Sequence, residues 1–135
     1  MVDIVVTAAS VQPAAGSVSK RGIAGEALTA GMGVFKAVDG DIEAAENDLT
    51  AADAAGIGIA LNDAALGQPI EYVITGDVIF NAVLAAGQVY IVGAAPGGIA
   101  PEADAVAGEF VTVLGVGTST TNLKLGILQS GVAHA

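Results

Sequence analysis

Side chains able to do chemistry are few in this chain, and their positions restrict what that chemistry is. The candidates are carboxylates: Asp39, Asp41 and Glu43 in one stretch, Glu102 and Asp104 in another. Paired carboxylates can serve as general acid and base or flank a glycosidic bond. Asp39-Gly40-Asp41-Ile42-Glu43 also offers several hard oxygens in a short loop, as a calcium ion requires, but it lacks the full spacing of a calcium-binding loop and has no glycine at that loop's sixth position. The sole histidine, His134, stands beside the C-terminus, and there is no cysteine. This inventory rules out Ser-His-Asp and Cys-His nucleophilic catalysis, disulfides and cysteine-based zinc sites. The glycine-rich run from Gly93 to Gly98 precedes no Lys-Ser/Thr pair, so it is turn chemistry rather than a phosphate loop. The carboxylates read as solvated loop residues. The expectation is a protein with no catalytic residues, no cofactor and no bound metal. A metal-dependent hydrolase using the acidic loop is the enzymatic rival, and calorimetry with calcium or magnesium separates the two.

The elements that carry these residues are apolar and small. The 135 residues amount to one domain, or to two small halves sharing a core. Hydrophobic residues make up 53 % and charged residues only 13 %, so part of the surface is expected to be covered by other subunits. The apolar content is mostly Ala, Val, Ile and Leu beside 19 glycines, a mixture that favours short strands and tight turns. A net charge of −10, with Lys20, Arg21, Lys36 and Lys124 the only bases, argues against nucleic acid and against anionic lipid as partners. The N-terminal residues lack the basic start and apolar core of a signal peptide, and no run is long enough for a membrane helix. Assembly in a cytoplasm is the expectation.

Taken in order, residues 1–20 form a Val/Ala/Ser/Thr-rich lead-in, with a possible strand at 2–7. It is either a frayed terminus or an arm that orders on a neighbouring subunit. Strands are expected at 34–38, 56–61, 70–74, 78–80, 89–92, 109–117 and 123–128, where apolar and β-branched residues run between Gly, Pro and Asp turns. Gly31, Gly67, Gly76 and Gly87 are read as structural turn residues, with Thr75-Gly76-Asp77 a turn between two strands. Between Asp39 and Asp53 alanines lie among the acids, which predicts at most a turn or two of helix capped by Thr50. Residues 131–135 are expected to fray.

The chain also repeats itself. Leu28-Thr29-Ala30-Gly31 returns as Leu84-Ala85-Ala86-Gly87, Gly40 and Ile42 return as Gly97 and Ile99, and Ile57-Gly58-Ile59-Ala60 returns as Leu114-Gly115-Val116-Gly117. Residues 70–74 correspond to 123–128, and the offset stays in the mid-fifties throughout. The reading is an all-β protein, a small barrel or sandwich of two similar halves with little helix. Its β-rich domain spans 21–135, with repeats at about 22–78 and 79–130.

The run Gly58-Ile59-Ala60-Leu61-Asn62-Asp63-Ala64-Ala65-Leu66-Gly67-Gln68-Pro69-Ile70-Glu71-Tyr72-Val73 resembles the head decoration, or capsid cement, proteins of tailed bacteriophages. So do Gly76-Asp77-Val78, Leu84 to Tyr90, and the ending Gly115-Val116-Gly117-Thr118-Ser119 with Asn122-Leu123-Lys124-Leu125. The resemblance covers roughly residues 22–130. It implies a virion structural protein on the outer surface of an icosahedral capsid, bridging subunits of the major capsid protein. It further implies a homo-oligomer, with a trimer favoured over a dimer. Such proteins often reach the shell with an N-terminal segment, a role that residues 1–20 would fill here. Val2, Ile4, Val6, Val11, Pro13, Lys20 and Arg21 are then the candidate capsid contacts, and the remaining domain should fold without the arm. The alternative is a non-enzymatic β-sandwich that attaches a virion to a host surface or a carbohydrate.

Overall fold

The computed structural model describes residues 3–47 and 50–134. The described residues are all-β: ten strands in one antiparallel sheet that curls into a half-barrel, with two short 3-10 turns at Ala8–Ser10 and Glu102–Asp104. The strands are β1 (Gln12–Pro13), β2 (Val18–Ile23), β3 (Gly33–Lys36), β4 (Ile42–Ala44), β5 (Gly58–Ala60), β6 (Pro69–Ile79), β7 (Val89–Val92), β8 (Ile99–Pro101), β9 (Phe110–Gly117) and β10 (Asn122–Ala133).

Their order is β4-β3-β5-β6-β10-β9-β7-β8, with β1 and β2 attached to β6. Read from either end, this is one pattern written twice: β4-β3-β5-β6 from one side and β8-β7-β9-β10 from the other. The registers agree as well. Val34 faces Gly58 in the first half, and Tyr90 faces Gly115 in the second. A side chain at Gly58 would strike the carbonyl oxygen of Val73, and one at Gly115 would strike that of Lys124. Both glycines therefore sit where neighbouring backbone leaves no room for a Cβ. The two halves meet along an antiparallel seam between their last strands, from Asn122 opposite Ile79 to Leu125 opposite Gly76.

Side-chain alternation explains why so many residues are apolar. On β6, Ile70 and Tyr72 enter a smaller core with Ala24, Leu28, Val34 and Ile42, while Val73 and Val78 enter a larger one. Ile59 and Ala60 divide in the same way on β5, as do Val34 and Phe35 on β3. The first half thus buries both faces of β3, β5 and β6. The larger core joins Phe35, Ile59 and Val73 of the first half to Tyr90, Leu114 and Leu123 of the second. Much of the apolar composition is consumed internally by this double burial. In the first half the sheet curls until Ala24, just past β2, bridges Ile42 of β4.

Several local expectations are corrected. No turn occurs at 75–77; β6 runs on through Gly76, whose φ of 92° marks where its neighbours change from β2 to β10 and β1. The acidic stretch holds a strand, β4, because its backbone pairs with β3. Among the described residues one turn follows, at 51–54, within the turn or two expected, and there the Asp53 amide donates to Thr50 Oγ1 at 3.1 Å. The glycine/proline loop ends in β8. Residues 131–134 do not fray: β10 extends to Ala133 and the His134 amide donates to the Glu109 carbonyl at 2.7 Å, while Ala135 lies outside the described residues.

The N-terminal segment departs furthest from expectation. Residues 3–7 form no strand, yet the segment is ordered on its own domain. The Ile4 amide donates to the Ile99 carbonyl at 2.8 Å, and Val11 is 7 % exposed within the larger core. β1 pairs with β6, and β2 straddles residue 20. Removing residues 1–20 would strip a core side chain, β1 and half of β2, so the domain is not independent of this segment.

Candidate functional site

The acidic side chains gather at one end of the first half. Asp39 and Asp41 lie in the β3–β4 turn, where the Asp41 amide donates to Asp39 Oδ1 at 3.0 Å. Glu43 projects from β4, and Glu26 accepts a hydrogen bond from the Ala44 amide at 3.0 Å. Partial desolvation raises the Glu43 carboxyl above its usual range, with further upward pushes from Glu26, Asp39, Asp53 and Asp41. The carboxylates therefore repel one another. Among the described residues, no group of three or more His, Cys, Asp or Glu side chains is placed to hold a metal ion. Glu102 and Asp104 lie in the second 3-10 turn, in the other half.

The residues expected to touch a capsid fall into three groups. Val2 lies outside the described residues. Ile4 and Val6 are half-buried against the larger core and Val11 is buried in it, so these three hold the N-terminal segment to its own domain. Pro13, Lys20 and Arg21 are exposed, on β1 and β2 along the flank of β6. Beside them Ser19 Oγ donates to Glu71 Oε2 at 2.7 Å, and a shallow cleft of about 200 Å³ is lined by Arg21, Asn62, Pro69, Ile70 and Glu71. Two of the four bases thus stand together on an exposed strand margin.

The clasp on the N-terminal segment was not legible in the sequence. Asn81, just past β6, accepts the Thr7 amide at 2.8 Å and donates to the Val5 carbonyl at 3.0 Å, binding the backbone as a strand would. Asp3 tucks against the Gly93–Gly98 loop, where its Oδ2 accepts the Ala95 amide at 3.3 Å, and Oδ1 is buried without a hydrogen-bond partner among the described residues. Burial raises the Asp3 carboxyl, outweighing the amides of Ala95 and Ala94 and the N-terminal charge; Glu109 adds a smaller upward push. Asn47, fully buried, donates to the carbonyls of Val92 and Gly93 and accepts from the Phe110 amide, fastening the first half to the second. An asparagine in a loop carries no sequence signal for either task.

The four glycines read as structural turn residues all have positive φ: 92° at Gly31, 84° at Gly67, 92° at Gly76 and 81° at Gly87. Gly31 and Gly87 occupy equivalent positions, their amides donating to Ala60 and Gly117 at 2.8 and 2.7 Å. Compared with protein-family models and with curated proteins, the chain matches none.

Proposed function

We propose that this chain is a non-enzymatic virion structural protein that decorates an icosahedral phage capsid and stabilises it by bridging major capsid protein subunits. The observation that carries the proposal is the β1–β2 margin. It presents Pro13 on β1 and Lys20 and Arg21 on β2 to solvent, in a chain otherwise dominated by acids. A basic margin on an acidic protein suits an acidic patch on a larger surface, and steers the protein's orientation as well as its approach. The duplicated β-fold suits the same role, since bridging requires a stiff body rather than a reactive group. The alternative, a carbohydrate-binding module, is less well supported. Tyr72, Tyr90, Phe35 and Phe80 are buried and Phe110 is half-buried, so no aromatic platform is offered for a sugar ring.

The test is co-sedimentation of the protein with undecorated capsids of the phage that encodes it. Charge reversal in a Lys20→Glu/Arg21→Glu variant should abolish attachment while leaving the thermal melt in place. Full occupancy by that variant, or none by the unaltered chain, refutes the proposal.

A further inference from the structure

We infer that the outer edge of β2 is a strand-addition site whose occupant is an extended segment of the partner surface with carboxylates opposite Lys20 and Arg21. Such an addition rests on the capsid contact proposed above and supplies its mode. Within the sheet β2 pairs with β6 alone, with Lys20 opposite Tyr72 and Arg21 opposite Glu71. The backbone of Glu71 is engaged on the far side of β6. Its amide donates to Asn62 Oδ1 at 2.7 Å, and its carbonyl accepts the Leu61 amide at 2.8 Å. Val73, opposite Ser19, pairs with Ile59 on that same side. In an antiparallel ladder, alternate residue pairs turn their backbone groups away from each other. Ser19 and Arg21 therefore direct N–H and C=O outward, while Lys20 and Gly22 direct theirs to β6. Among the described residues no strand or side chain takes up the outward groups.

Charge selects the occupant. Val18, Ser19, Lys20, Arg21 and Ile23 are all exposed. Among the described residues neither Lys20 nor Arg21 forms an ion pair, in a chain with 14 acids. Arg21 lines the shallow cleft with Glu71, whose carboxylate instead accepts the Ser19 hydroxyl. Successive residues of a strand point to opposite faces, so Lys20 and Arg21 place positive charge on both faces of this edge. A guest strand with two adjacent acids meets one base on each face, its backbone supplying affinity and its side chains specificity. Beyond Ile23 the sign reverses: a Cβ added at Gly25 would come to 3.0 Å from both Asp41 and Glu43. The guest therefore carries no acid at that end, and this polarity sets its register. A second copy does not fit. β2 laid against itself opposes bases to bases, which guards an edge against its own kind, and two chains of net charge −10 repel.

The probe is the capped peptide Thr-Val-Glu-Asp-Val-Thr, titrated into the isotope-labelled chain. At saturation, amide exchange followed by NMR should slow at least about threefold at Ser19 and Arg21, while Lys20 and Gly22, already bonded to β6, stay unchanged. The same peptide with Gln-Asn in place of Glu-Asp should bind at least about threefold more weakly, a difference that shrinks in about 1 M salt. No added protection at Ser19 and Arg21, or equal binding of the two peptides, overturns the inference. So does protection that rises with protein concentration alone, since the occupant would then be another copy.

Capsid attachment separates the mode from the contact. Ser19→Pro removes one outward N–H and keeps both bases, and proline is tolerated where a strand's N–H faces solvent. It should attach at least about threefold more weakly than Ser19→Ala, which controls for the lost hydroxyl. Equal attachment of these two, beside loss in Lys20→Glu/Arg21→Glu, retains the capsid contact and refutes strand addition. Attachment of the charge-reversed variant refutes the capsid contact, and the peptide titration then decides the edge by itself. If Ser19→Pro misfolds, exchange at Ser19 and Arg21 in the unaltered chain decides.

Discussion

The duplicated turns give a matched experiment on what the N-terminal segment contributes. Gly31→Ala and Gly87→Ala place the same methyl group at equivalent positions, with φ of 92° and 81°. Each should lose roughly 1–2 kcal/mol because an L residue is strained at positive φ. At Gly87 nothing lies within 4 Å of the added carbon, so the backbone term is the whole effect. At Gly31 the methyl collides with Val6 Cγ1 and comes to 3.0 Å from Val11 Cγ2. Relief requires the segment to lift, which exposes Val11, and a buried valine contributes about 1.5–3 kcal/mol. Gly31→Ala should therefore cost about 3–5 kcal/mol in urea unfolding, against about 1–2 for its twin. Hydrogen exchange should locate the difference, with faster exchange at the amides of Ile4 and Thr7, which donate to the Ile99 carbonyl and to Asn81. Equal losses in the two variants, together with unchanged protection at Ile4, would refute the assignment of this segment to the core.

Two further predictions concern buried polar groups. Because burial raises the Asp3 carboxyl, the folded state holds that proton more tightly than the unfolded chain does, so this group's contribution to stability is greatest at low pH and falls as pH rises through the raised value. Asp3→Asn should lose that component. Urea midpoints measured from acid to neutral pH should show the unaltered chain falling relative to the variant, and parallel profiles would contradict it. Thr112, 1 % exposed, donates its hydroxyl to the Ala54 carbonyl, tying β9 to the first half. Thr112→Val should cost about 1 kcal/mol, since Ala54 keeps the Gly56 amide as a second donor, while Thr112→Ser should retain most of the bond; no loss in the valine variant would discount this tie.

Composition and local pattern were enough to determine the all-β class, the positive-φ turns and the correspondence of Leu28–Gly31 with Leu84–Gly87. These depend on nearest-neighbour sterics: a glycine that must turn, a β-branched run that must extend. The same signals placed most strands but misjudged their ends: β10 reaches Ala133 through pairing with Phe110, and β4 forms in the acidic stretch by hairpin pairing with β3. The acidic side chains were legible as solvated loop residues, whereas their mutual repulsion around Glu43 on β4, and the margin carrying Lys20 and Arg21 along β6, became visible only in the fold.

What the tertiary structure alone decided is which segments are partners. Residues 3–17 have no amphipathic period, and by themselves would read as a tail. They are held by Asn81, by Ile99 and by the packing of Val11 into the larger core, all contributed by the rest of the chain. Sequence repetition likewise implied two halves but not the seam between β6 and β10, nor that β10 would run on past it beside β9. Turns obey local geometry and can be read residue by residue. Pairing and burial depend on which distant backbone can satisfy a donor or fill a space, and only the folded chain settles that.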